Sequence, residues 1–360
     1  MKKIVTILGA RPQFVKAAVL SRIIKKHNNI EEIIVHTGQH FDSNMSAIFF
    51  DEMMIPKPKY NLEINNMSHG AMTGLMLLEI EKVLIEEVPD AVVVYGDTNS
   101  TIAGALAAKK MHIKVVHIEA GLRSFNMKMP EEINRIATDR ISDLLSCPTE
   151  TALDNLKKEG YDNLQILVEK HGDIMKDAVS YYGQFSKEKS SIIIDEKLQK
   201  NHFVLATIHR QENTDDEKKL RSIFLGLEEI HKTHTVILPM HPRTKSVLNK
   251  LSIHPKIQVI EPVGYYDMLE LLKNCSIVIT DSGGLQKEAF FNRKQTIVVR
   301  DETEWVELVS QGFAKVVGSN TKMILQTFDT FKATNKEFTV DLYGNNVGEK
   351  IYQSIYQLIH

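Results

Sequence analysis

Residues 276–290 read SIVITDSGGLQKEAF. The β-branched run Ile277-Val278-Ile279 stops at Thr280, passes through small residues, and continues as a helical pattern from Leu285. A strand that leaves through glycines into a helix is the repeating step of a parallel α/β sheet. Its turn presents backbone amides at a helix start, where an anion can sit. The stretch spells neither a Walker loop nor G-x-G-x-x-G. Gly283 and Gly284 permit close approach of a phosphate, and Ser282 adds a hydroxyl. Glu288, one turn into the helix, would repel a phosphate. Vicinal hydroxyls suit it, so a ribose beyond the phosphate is the expected partner.

The same step recurs along the chain. Strands are expected at Lys3–Leu8, Glu32–His36, Ala91–Tyr95, Lys114–Ile118, Leu144–Cys147 and Gln165–Val168. Helical patterns lie between them, at Gln13–Lys26, Gly70–Glu87, Thr101–Lys110, Glu131–Ser142 and Thr149–Lys158. Continuous apolar runs such as Val92-Val93-Val94 are those of strands buried on both faces. The polar stretch Tyr182–Asn201 then reads as a linker, and the series restarts. Phe203–Ile208, Val236–Pro239, Ile257–Ile260, Ile277–Thr280, Thr296–Val299 and Lys315–Val317 are the second set of strands. Asp216–Lys232, Asp267–Lys273 and Leu285–Phe291 are helices among them. The expected fold class is α/β, with two Rossmann-like doubly wound domains facing a cleft, spanning residues 1–175 and 176–345. Asn346–His360 carries apolar residues at helical spacing and closes the chain as an amphipathic helix.

Composition narrows the function classes. The chain has 360 residues, 43% of them hydrophobic and 25% charged, with a formal net charge of −2. That balance argues against a nucleic-acid binder, which needs a basic surface. No apolar stretch is long enough to span a bilayer. The start, MKKIVTILGARP, lacks a small-residue cleavage site and reads as a first strand. The two cysteines, Cys147 and Cys275, sit inside apolar runs and suit a reducing cytoplasm.

In open α/β sheets, ligands bind beyond the carboxyl ends of the strands. The residues there are therefore the candidates. After the first strand, Arg11 and Lys16 flank a glycine turn and a helix start with Pro12, an arrangement for an anion. After Ala91–Tyr95 come Asp97, Thr98 and Asn99, each able to cap the next helix. His117 and Glu119 leave the following strand on one face. A carboxylate at a buried strand end is costly without a task or partner. Glu131 and Arg135 lie four apart on one helix face. In the second half, His209 and Arg210 leave one strand and His241 and Arg243 the next, a pair of exits suited to a diphosphate. Arg300 adds a cation on the same rim. His117, Glu119 and His209 match no standard metal-ligand spacing, so no metal is expected.

GARPQFVKAA (9–18), YGDTNST (95–101), HIEAGLRS (117–124), MPEEINR (129–135), IHRQEN (208–213) and TDSGGLQKEAF (280–290), in this order, resemble the non-hydrolysing UDP-N-acetylglucosamine 2-epimerase family. The resemblance covers nearly the whole chain. It implies the glycosyltransferase-B architecture, a homodimer, and a last helix that packs back on the first domain. It also implies inversion at C2 of a UDP-sugar without cofactor or metal, by elimination of UDP to a 2-acetamidoglucal and re-addition. Asp97, Glu119 and Glu131 then correspond to acid/base groups, and His209 to the group that handles the diphosphate and leaving group. Arg11, Lys16, Arg135, Ser282, Gly283, Gly284, Glu288 and Arg300 correspond to UDP-sugar contacts. A hydrolysing epimerase and a glycosyltransferase of the same fold are the rival readings. EAGLRSFNMKMPEEINR and RDETEWVEL look most like a subgroup that includes epimerases of UDP-2,3-diacetamido-2,3-dideoxyglucuronic acid. GQHFDSNM, from Gly38, falls where some family members carry a regulatory UDP-sugar site.

Overall fold

A computed structural model describes residues 1–39, 53, 55–334 and 336–360. Most of GQHFDSNM, from His40 on, lies outside them. The chain divides into two compact units, Met1–Ala178 with Asp341–His360, and Val179–Val340. Among the described residues no helix is long and apolar enough to cross a membrane.

The first unit is built on seven strands: β1 (Lys2–Leu8), β2 (Ile30–His36), β3 (Tyr60–Asn61), β4 (Ala91–Tyr95), β5 (Lys114–Ile118), β6 (Leu144–Cys147) and β7 (Leu167–Lys170). Their order is β3-β2-β1-β4-β5-β6-β7, and every pairing is parallel. Alternate residues of β1 and β4, such as Val5, Ile7, Val92 and Val94, pack on the helices His69–Glu87 and Asn99–Lys110. The other face is covered in part by the helix Arg11–His27, on which the terminal helix Val347–Ile359 lies. That last contact has Gly348 against Val19 and Ile23, His27 Nε2 2.6 Å from Glu349 Oε1, and the His27 and Tyr352 rings stacked at 4.2 Å.

The second unit repeats the plan with β8 (Phe203–Thr207), β9 (Thr235–Pro239), β10 (Gln258–Ile260), β11 (Ile277–Thr280), β12 (Thr296–Val298) and β13 (Ala314–Val316). The order is β10-β9-β8-β11-β12-β13, again all parallel. Residues of the polar stretch after Tyr182 form two short helices, Ser186–Lys189 and Ile192–Asp195. They are tied to the helix Tyr265–Asn274 by Ser186 donating to Glu270 at 2.5 Å and Ser190 to Asp267 at 2.6 Å.

Each strand order reverses direction once. The reversal falls between β1 and β4 in the first unit and between β8 and β11 in the second. Helices leave these neighbouring strands toward opposite faces, which opens a crevice at their carboxyl ends. Each unit therefore has one preferred place for a ligand.

Candidate active site

In the first unit the crevice is braced by Gln13. Its Oε1 accepts from the Gly9 and Ala10 amides at 2.7 and 3.0 Å, and its Nε2 donates to the Tyr95 carbonyl at 2.7 Å. One side chain thus joins the exits of β1 and β4. The turn after β4 runs through Gly96, at φ +62°, where a Cβ would lie 3.3 Å from Glu119 Oε2 and 3.8 Å from Lys16 Nζ.

Capping falls to Thr98, whose Oγ1 accepts from the Thr101 amide at 3.3 Å. That leaves the Asp97 carboxylate, 31% exposed, to accept from Arg135 Nη2 at 2.6 Å. Glu119 sits at the exit of β5 with φ +73°, a left-handed backbone that costs energy for a residue with a side chain. Its carboxylate pairs with Lys16, and the two side chains are only 12% and 7% exposed. Asp97, Glu119 and Lys16 are thereby brought to one switch point.

Glu131 is half-buried in the first turn of the helix Pro130–Ile141 and makes no ion pair among the described residues. The cation four residues on pairs instead with Glu132, three residues away, at 2.7 Å. The reason is non-local. Glu132 is fully buried and also accepts from the Ser124 amide at 3.0 Å and the Phe125 amide at 2.8 Å. Burial pushes its carboxyl up, but these amides and Arg135 outweigh that and hold it below its usual value. The Arg11 side chain lies outside the described part of the structure.

Beneath these groups His117 is a satisfied core residue and does not reach a ligand. Its ring bridges Asp139 and the Gly96 carbonyl, each at 2.7 Å. Asp139 is fully buried and also accepts from the Gly121 amide and Arg123. Burial pushes Asp139 up, and the bonds from His117 and Arg123 more than reverse the shift.

In the second unit the residue that organises the crevice is Asp281, which the sequence reading passed over. It is fully buried at the end of β11. Its carboxylate accepts from the His209 amide at 2.9 Å, the Arg210 amide at 3.0 Å and Asn213 Nδ2 at 3.1 Å. The His209 ring Nδ1 lies 3.1 Å from Asp281 Oδ1, while the side chain stays 34% exposed. Nδ1 facing a carboxylate directs Nε2 outward as the working nitrogen. Burial pushes Asp281 up, but the bonds from His209 and the two amides hold its carboxyl below the usual range.

The glycine turn starts the helix Gly283–Phe291, capped by Ser282 Oγ accepting from the Leu285 amide at 3.4 Å. Among the described residues the Gly283 and Gly284 amides make no hydrogen bond. A Cβ on Gly284 would meet nothing within 4 Å, and the residue is exposed at the helix start. Glu288 is half-buried one turn further on. Arg300 does not project onto this rim. Its side chain is 1% exposed, with Nε 2.9 Å from Glu212 and Nη1 2.8 Å from Glu304. It supports the turn through Glu304, whose Oε1 packs 2.5 Å from where a Gly283 Cβ would stand. His241 caps the helix Pro242–Lys250 by accepting from the Arg243 amide at 3.2 Å, and Arg243 pairs with Asp215 at 2.6 Å.

The arrangement offers two carboxylates, Asp97 and Glu119, each paired with a cation in one unit, and a glycine helix start with an oriented histidine in the other. Comparison with known proteins gives this a context. A family model described as UDP-N-acetylglucosamine 2-epimerase matches residues 22–356. The UDP-2,3-diacetamido-2,3-dideoxy-D-glucuronate 2-epimerase of Pseudomonas aeruginosa is 51% identical over 95% of this chain and 96% of its own length. The UDP-N-acetylglucosamine 2-epimerase of Methanocaldococcus jannaschii is 41% identical over 97% of each. The crystal structure of that archaeal enzyme with UDP-GlcNAc and UDP superposes with a TM-score of 0.91, at 40% identity and 99% coverage of both chains. The Neisseria meningitidis enzyme bound to UDP-GlcNAc gives 0.86, at 32% identity over 99% of this chain and all of that one. The two doubly wound units are thus those of a glycosyltransferase-B-like fold.

Proposed function

We propose that this chain, which belongs to the UDP-N-acetylglucosamine 2-epimerase family, inverts C2 of a UDP-linked 2-acetamido sugar. It is an isomerase of nucleotide sugars. The observation that carries the reading is the meeting of Asp97 and Glu119, each paired with a cation, at one switch point, with Glu131 on the helix that supplies Arg135. Transfer alone would not call for three acids.

The chemistry follows from those groups. A carboxylate removes the proton at C2 while the C1–O bond to UDP breaks, giving the 2-acetamidoglucal and UDP. Proton and UDP then return, the proton on the opposite face of C2. Asp97, Glu119 and Glu131 divide the proton transfers. Lys16 and Arg135 set the charge around them. His209, oriented by Asp281, serves the departing phosphate, and the amides of Gly283 and Gly284 stabilise its charge. Glu288 takes the ribose hydroxyls. Arg300 acts from behind the turn. The 51% identical relative makes the 2,3-diacetamido uronic acid the first sugar to try, ahead of UDP-GlcNAc. A cytoplasmic homodimer belongs to the same proposal, and a solution mass twice that of the chain would support it.

The test is incubation with each UDP-sugar in heavy water, followed by NMR. Deuterium at C2 in both UDP-linked epimers is expected. Free sugar with stoichiometric UDP would point to hydrolysis instead, and no exchange with either sugar would sink the reading. Glu119→Gln should bind UDP nearly as wild type and lose exchange. Retained exchange would remove Glu119 from the proton path.

A further inference from the structure

His117 and Asp139 touch no open space, yet the elements that carry the acids meet on them. Both side chains are fully buried. The two ring nitrogens of His117 face two oxygens, Asp139 Oδ1 and the Gly96 carbonyl, each 2.7 Å away. A carbonyl oxygen has no hydrogen to give, so Nε2 carries one. The second oxygen of Asp139 accepts from the Gly121 amide at 3.2 Å and from Arg123 Nη1 at 2.7 Å. A carboxylate surrounded by donors accepts from Nδ1 as well. Hydrogen-bond accounting therefore places a hydrogen on both ring nitrogens.

The charges close. Arg123 also makes a two-point contact with Glu159, at 2.7 and 2.8 Å. Two cations, His117 and Arg123, then face two anions, Asp139 and Glu159, the condition under which buried charge is tolerated. The other titratable neighbours, the Cys147 thiol and the Tyr161 hydroxyl, are pushed up by burial and by Asp139, and stay neutral.

We propose that Asp139 holds His117 as a buried imidazolium, and that the pair is the positioning device of the proton chemistry. Its charge state stands on geometry alone; its consequence rests on the epimerase reading above. The ring donates to the carbonyl of Gly96, the residue before Asp97. His117 is two residues before Glu119 on the same strand exit. Asp139 sits on the helix that carries Glu131 and Arg135, and it fixes the Gly121 amide just past Glu119. Three carboxylates on three elements are thus referred to one ion pair. The fixed cation also lies beneath a site whose negative charge changes as protons move.

Ring ¹⁵N NMR of the full chain, with His117 assigned through a His117→Gln control, tests the charge. At about pH 8, where free imidazole is neutral, both ring nitrogens should read as N–H. A ring with one bare nitrogen would overturn the proposal. Asp139→Asn keeps the shape and can donate to Nδ1, so the ring should lose one N–H. In that variant kcat should fall at least about tenfold with KM within about threefold. A singly protonated ring with kcat unchanged would end the positioning role. If the variant does not fold, the wild-type ring signal still decides the charge. An imidazolium in a protein that turns over no UDP-sugar would defeat the functional reading and leave the charge assignment standing.

Discussion

Gly283 and Gly284 stand side by side, and a methyl group added to each would meet different things. On Gly283 it would strike Oε1 of Glu304, a carboxylate whose other oxygen is held by the buried Arg300. Gly283→Ala should therefore cost about 1–3 kcal/mol of stability, read from urea unfolding, because the carboxylate must leave its guanidinium. On Gly284 it would meet nothing within 4 Å. Gly284→Ala should unfold within about 0.5 kcal/mol of wild type. It should weaken UDP binding about tenfold by calorimetry, since the methyl group would stand in open space at the helix start where a phosphate would approach. Equal UDP binding by wild type and Gly284→Ala would remove this turn from the nucleotide site. At this scale the glycines were visible in the sequence, but their separate reasons were not. Asp281 shows why. Beside a candidate phosphate turn an acid looks misplaced, and only the fold shows its carboxylate turned inward to collect two amides and a histidine. Arg135 makes the same point, because spacing offered Glu131 and long-range amides chose Glu132 as its partner.

At the scale of elements, two buried aspartates fasten the crevices. Asp139 ties the helix Pro130–Ile141 to the exit of β5, and Asp281 ties the exit of β11 to that of β8. Both are held below their ordinary value of 3.8 in the folded chain. A depressed carboxyl contributes stability that is fully present above its unfolded value and is lost as pH falls through the folded one. Wild type should therefore lose stability below about pH 4 more steeply than Asp139→Asn or Asp281→Asn, which lack one such carboxylate each. Urea midpoints from pH 6 down to pH 2 check this. Parallel loss in all three proteins would mean that other acids dominate. The strands themselves were well marked. β4, β5 and β11 fall where apolar β-branched runs end at Gly, Glu or Asp, and β6, Leu144–Cys147, stops before Pro148. β7 begins at Leu167, two residues later than its apolar run suggests, after the short 3₁₀ turn Tyr161–Asn163. β3, only Tyr60–Asn61, is a strand through its pairing with Val35 and His36, and so short a segment carries no periodicity of its own.

For the whole molecule, the path of the chain matters as much as its parts. The first unit is completed by Asp341–His360, after the second unit has been laid down. Val347, Ile351, Ile355 and Ile359 are buried in that last segment, whose helix rests on Arg11–His27. Deleting residues 346–360 should expose Val19 and Ile23, destabilise the first unit by several kcal/mol at about 25 cal/mol per Å² of apolar surface, and leave the second unit folded. Hydrogen exchange followed by mass spectrometry would resolve the units, and uniform loss of protection would mean that they unfold as one. The order of manufacture then becomes part of the design. During synthesis the early strands emerge first, yet the helix that carries Lys16 waits for a covering helix, Val347–Ile359, that follows the whole second unit in the chain. A ribosome that stops before Val347 leaves the second unit whole but the helix beside the Lys16–Glu119 pair without its cover.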